Sequence, residues 1–113
     1  MPRPVDIVLK TAERRLDLCF DDGVTAQLPA QYLRVFSPSA EVRGHGGAKP
    51  PAVLGKASVA ITRIEPVGHY AVRLVFDDGH DSGLYRWDYL YELSVNQASN
   101  WAAYLADVEN TGR

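Results

Sequence analysis

The sequence predicts an α+β domain: a small, mainly antiparallel β-sheet built from two similar hairpin–helix units, with C-terminal helices. Three observations predict it. Leu18-Cys19-Phe20-Asp21-Asp22-Gly23 returns 56 positions later as Leu74-Val75-Phe76-Asp77-Asp78-Gly79. Apolar residues alternate with polar ones around each Asp-Gly pair, the period of a strand with one buried face. Past residue 94 the apolar spacing becomes that of a helix. Two copies are too few for a solenoid and indicate one supersecondary unit used twice.

A first strand is expected around Asp6 to Lys10. Leu16, Leu18 and Phe20 alternate with Asp17 and Cys19, so a second strand runs to the turn at Asp22-Gly23, where glycine accepts the positive φ of a tight hairpin. Val24, Ala26 and Leu28 continue the alternation on the return strand and lead to Tyr32-Leu33 in a short helix. Ser37 to Ala52 holds Pro38, Gly44, Gly46, Gly47, Pro50 and Pro51, the composition of a loop. Val59 to Ile64 reads as a strand stopped near Pro66-Val67-Gly68, after which Val72, Leu74 and Phe76 enter the second turn and Leu84-Tyr85 returns. Trp87 to Leu93 forms a short helix, and Ser94 with Gln97 makes a capping box for another. Trp101, Tyr104, Leu105 and Val108 then fall on one apolar stripe, read as core packing.

The limits set by composition are firm. The 113 residues, 46% hydrophobic and 23% charged, suit one soluble domain spanning 1–113, with a core of about 6–94 and a C-terminal helix of about 96–109. A net charge of −2 gives no electrostatic footprint for nucleic acid. The lone Cys19 excludes an intrachain disulfide and any cysteine-clustered metal site made by this chain alone, and its strand position suggests packing. No apolar run reaches membrane-spanning length and the first residues lack the apolar core of a signal peptide, so a cytoplasmic location is expected, with no membrane partner.

No phosphate-binding loop, His-Glu-x-x-His, nucleophile elbow or dinucleotide glycine fingerprint occurs. Two segments carry the remaining candidate chemistry. The first runs from Tyr32 to Gly46 and offers Arg34, Ser37, Ser39, Glu41, Arg43 and His45 in a glycine-bearing loop. The second runs from Phe76 to Trp87, and the repeat supplies its control. Where the first hairpin has Val24-Thr25-Ala26 after its glycine, the second has His80-Asp81-Ser82, a polar replacement the turn itself does not require. His80 and Asp81 are adjacent on extended chain and point apart, which disfavours them as an acid–base pair. The aromatic cluster Tyr85, Trp87, Tyr89 and Tyr91 suits either an interface or a small core, and core is the better reading.

These segments, together with Pro66-Val67-Gly68-His69-Tyr70-Ala71-Val72 and Trp87, resemble the gamma-butyrobetaine hydroxylase-like N-terminal domain family, in its small stand-alone form. The resemblance covers nearly all of residues 6–94. It implies the accessory domain of 2-oxoglutarate-dependent hydroxylases without the catalytic domain, hence no enzyme. In those hydroxylases the domain holds a structural zinc through three cysteines and a histidine. On this chain Leu33-Arg34 and His80 match that pattern, while Ser37, Ser39 and Val42 stand in the cysteine places, so the thiolate site is lost. A weaker iron or zinc site would draw on His80 and His45 with Asp81 or Glu41. The family's fusion to iron–sulfur carrier ATPases implies a binding or adaptor module with a protein partner, linked to iron–sulfur protein assembly. Binding candidates are Arg34, Ser37, Ser39, Glu41, Arg43, His45, His69, His80, Asp81, Ser82 and Trp87.

Overall fold

The computed structural model describes residues 2–38 and 54–111. Each predicted unit builds its own three-stranded antiparallel sheet followed by a helix. The first comprises β1 (Pro4–Lys10), β2 (Arg15–Phe20), β3 (Thr25–Pro29) and α1 (Ala30–Val35). The second comprises β4 (Ile61–Val67), β5 (Ala71–Phe76), β6 (Leu84–Arg86) and α2 (Trp87–Val95); α3 (Gln97–Thr111) follows. The middle strand is central in each sheet, in the orders β1-β2-β3 and β4-β5-β6.

Register repeats as closely as sequence does. Phe20 pairs with Pro4 and Phe76 with Ile61, and in both sheets the edge strand shifts register just past that pair. The alternation of β2 buries Leu16, Leu18 and Phe20; that of β5 buries Val72, Leu74 and Phe76. These six side chains join Leu28, Tyr32, Leu33, Tyr85, Leu90 and Leu93 in one core shared by both units. Tyr85 is fully buried there, and Trp87, Tyr89 and Tyr91 pack against it, so the aromatic cluster is core.

The helices exchange contacts between units. Tyr32 on α1 donates its hydroxyl to the Leu93 carbonyl at 2.7 Å, and Tyr89 on α2 donates to the Phe36 carbonyl at 2.6 Å. Tyr32 and Tyr89 are repeat equivalents, and each accepting carbonyl lies four residues beyond the other tyrosine. Carbonyls near a helix end lack intrahelical partners, and here side chains of the opposite unit supply them.

Three expectations change. Ser94 does not cap α3: its hydroxyl donates to the Leu90 carbonyl at 2.8 Å from within the last turn of α2. A serine with an open i−4 carbonyl forms this bond locally, which the S-x-x-Q spacing alone does not reveal. Of the apolar stripe on α3, Tyr104 is buried but Leu105 is 51% exposed. The strand expected at Val59 to Ile64 runs instead from Ile61 to Val67 and includes Pro66, tolerated because β4 is an edge strand.

Candidate functional site

Both Asp-Gly turns rest on one backbone scheme. Gly23 and Gly79 each sit at φ +90°, a conformation that favours glycine. The Phe20 amide donates to the Val24 carbonyl at 2.8 Å and Phe76 to the His80 carbonyl at 2.9 Å. Asp22 accepts from the Val24 amide and Asp78 from the His80 amide, both at 3.0 Å. Valine therefore closes this turn as well as histidine does, and the imidazole is an addition.

The second turn carries further additions. Ser37, just past α1, hydrogen-bonds His80 Nε2 through its Oγ at 2.8 Å and is itself only 3% exposed. Gly83 permits the approach: a Cβ there would stand 2.5 Å from Ser37 Oγ and 3.0 Å from Tyr85 Cε1. The Tyr85 hydroxyl donates to the Leu33 carbonyl at 2.5 Å. Burial pushes this phenol far above its ordinary range, and a hydrogen bond from Ser37 opposes that shift.

Beside this pair, Asp78 Oδ2 accepts from Arg34 Nε at 2.9 Å and from Lys56 Nζ at 2.7 Å. Partial burial alone would raise the Asp78 carboxyl. The bonds from Lys56, the His80 amide and Arg34 outweigh it and hold the group well below the usual carboxylate range. At the first turn the equivalent Asp22 oxygen accepts a neutral donor from the opposite helix, the Tyr91 hydroxyl at 2.6 Å.

The structure thus brings together three predicted residues, Arg34, Ser37 and His80. Asp81 lies elsewhere, with its carboxylate 3.5 Å from Arg73, so it diverges from His80 as the strand geometry predicts. His69 and Trp87 meet at a different corner, where the His69 carbonyl accepts from Trp87 Nε1 at 2.7 Å. Ser82 is exposed. Ser39, Glu41, Arg43 and His45 lie outside the described residues. Sequence reasoning missed Lys56, Asp78, Gly83 and Tyr85. The signal for Gly83 was available, because its repeat equivalent is Gln27, and a small residue opposite a long one marks a close approach.

A zinc held by the first and last positions of the family pattern does not fit here. Ser37 Oγ and His80 Nε2 are in direct hydrogen-bond contact, whereas ligands about 2.0–2.3 Å from a tetrahedral zinc stand well over 3 Å apart. Among the described residues no three His, Cys, Asp or Glu side chains gather to hold a metal. A serine beside a histidine also resembles a nucleophile and its base. Ser37, however, is only 3% exposed and lies against Gly83, a poor position for a nucleophile that must meet a substrate. The pair acts chemically as a clamp between the second turn and α1.

Comparison with known proteins agrees with this architecture. No helix among the described residues is long and apolar enough to cross a membrane. No curated protein matches the chain. Two proteins with NMR solution structures are similar: one is 48% identical with a TM-score of 0.86, covering 100% of this chain and 89% of its own. The other is 47% identical with a TM-score of 0.83, covering 100% and 84%. A DUF971 family protein of unknown function from Acidithiobacillus ferrooxidans, known from its crystal structure, is 36% identical with a TM-score of 0.69, covering 80% of this chain and 91% of its own. The family model described as gamma-butyrobetaine hydroxylase-like, N-terminal, matches residues 7–91, and the chain belongs to that family.

Proposed function

We propose that this chain is a non-catalytic binding or adaptor module that presents the second turn and the end of α1 to a protein partner, in the assembly of iron–sulfur proteins. One observation carries the reading. The two turns share their backbone bonds, yet only the second adds His80, Ser37 and the Arg34–Asp78–Lys56 group. Polar side chains beyond what a turn needs mark a surface that does something else. The burial of Ser37 favours a binding role over a catalytic one. The proposed setting is the cytosol, where the unpaired Cys19 thiol stays reduced.

The test compares the tagged full chain with Arg34→Ala/Lys56→Ala, both isolated from cells of the native host after the variant's fold is verified by amide NMR. One protein recovered stoichiometrically with the native chain and lost with the variant is expected. Identical recoveries from both would sink the proposal. Removing the gene should also lower the activities of iron–sulfur enzymes; unchanged activities would discard that pathway while leaving the module intact.

A further inference from the structure

The outer edges of the two sheets are closed to different degrees. In β2 the Phe20 amide bonds toward the β3 side at Val24, and the Asp21 amide bonds toward the β1 side at Arg3. Backbone groups alternate in direction along a strand, so the registers follow from these bonds. Asp6, Val8 and Lys10 of β1 turn their backbone groups to β2, and Ile7 and Leu9 turn theirs to the open side. In the second sheet Phe76 bonds toward His80 and Asp77 toward Ala60, which gives β4 the same phase. Arg63 pairs with Val75 as Asp6 does with Cys19, so Pro66 is the counterpart of Leu9. Proline has no amide hydrogen, and Pro66 removes the outward donor that Leu9 keeps.

Other devices close the remaining edges. On β4 Glu65 is ion-paired with Arg63 and Arg73, whereas its counterpart on β1 is Val8, 36% exposed. β3 ends in Pro29, and its Gln27 carbonyl accepts from Gln97 Nε2 on α3 at 3.2 Å. β6 is only three residues long. Pro4 and a register shift before Asp6 confine the open stretch of β1 to Asp6–Lys10. Among the described residues, that stretch is the edge left ready for another strand.

We propose that it pairs with the same stretch of a second copy of this chain, antiparallel about a two-fold axis at Val8. Ile7 and Leu9 of one copy then exchange backbone hydrogen bonds with Leu9 and Ile7 of the other. Asp6 of each copy faces Lys10 of its partner, and Val8 faces Val8. Centring the axis on Ile7 or Leu9 would set a charge against Val8. Centring it on Asp6 or Lys10 would oppose like charges. The Val8 register alone joins opposite charges, and such cross-strand pairs stabilise a sheet. Ile7 and Leu9 keep their side chains against the core, so the protomer need not rearrange. The pairing is independent of the binding role proposed for the second turn.

So short a contact gives weak association, with dimer accumulating between about 10 μM and 1 mM. The experiment is sedimentation equilibrium of the full chain over that range, with amide NMR on the same samples. A monomer–dimer equilibrium is expected, in which rising concentration shifts the Ile7 and Leu9 amides and slows their exchange with water. Lys10→Asp and Asp6→Lys should each weaken the dimer roughly tenfold, because two cross-strand pairs become repulsive. Combining them should restore it to within about threefold of the native chain. Monomer alone at about 1 mM would overturn the proposal. So would concentration-dependent amides confined to residues outside β1, or a double variant no stronger than the single ones. The first two readings are made on the native chain and need no variant to fold.

Discussion

The first and second turns are the same backbone carrying different side chains. Each ends a buried Phe strand, places its glycine at φ +90° and has its second aspartate accept from the amide two residues on. Each aspartate also reaches the opposite unit's helix, Asp22 through Tyr91 and Asp78 through Arg34, which occupy equivalent helix positions. The difference lies in what surrounds that frame. Val24 is apolar, and Ser94, the equivalent of Ser37, turns back onto its own helix at Leu90. At the second turn Ser37 turns outward to His80. The comparison teaches that Asp78 and Gly79 are explained by the hairpin, whereas Ser37, His80 and Gly83 meet through contacts the hairpin does not require.

The largest test asks whether the two units are equal in the core. Phe20 is fully buried and Phe76 is 2% exposed, each in the middle strand of its sheet. Truncating either to alanine is expected to cost about 3–5 kcal/mol, and the two costs should agree within about 1 kcal/mol. Denaturant unfolding followed by fluorescence and circular dichroism measures this. Both variants should unfold in one coincident transition, because the core is shared. Separate transitions, or one cost several-fold above the other, would break the equivalence of the units.

A smaller effect isolates the close approach that only the second unit contains. Gly83→Ala forces a methyl against Ser37 and the Tyr85 ring and is expected to cost about 1–3 kcal/mol. Adding Ser37→Ala to that background should return part of the loss, since it removes the atom struck first. Gln27→Ala, at the exposed equivalent position, should stay within about 0.5 kcal/mol. Strict additivity of the Gly83 and Ser37 changes would show that the two do not meet.

Much of the fold was legible because its signals are local. Alternation around Leu18 and Leu74 marks strands, Asp-Gly marks turns, and the echo of one hexapeptide in another exposes the duplication. The crossing of the helices was not legible. Nothing in the spacing of Tyr32 or Tyr89 says that each bonds a carbonyl of the other unit, because that choice is made by the packing of two sheets. The site was half legible. His80 stood out against Val24, and Ser37 through its place in the family pattern. Lys56 is distant in sequence from the turn it joins, and Asp78 was accounted for by turn chemistry alone. Side chains with a sufficient local role conceal a second, long-range one.

The smallest effect separates the two turn aspartates by their partners' charge. Asp78 serves two cations with its side chain 20% exposed, and Asp78→Asn is expected to cost about 1 kcal/mol near neutral pH. Asp22→Asn, which keeps an acceptor for a neutral tyrosine, should cost less. The pH dependence follows from the direction of the Asp78 shift. Its folded carboxyl titrates below the unfolded one, so its contribution is complete above the unfolded value. That contribution is lost as the pH falls below about 4 toward the folded value. The stability gap between the native chain and Asp78→Asn should therefore be flat from neutral pH to about 5 and close in more acid solution. Urea midpoints at stepped pH measure it. A gap that persists unchanged into strong acid, or an equal gap for Asp22→Asn, would mean that the cations at the second turn add nothing to what the bare hairpin supplies.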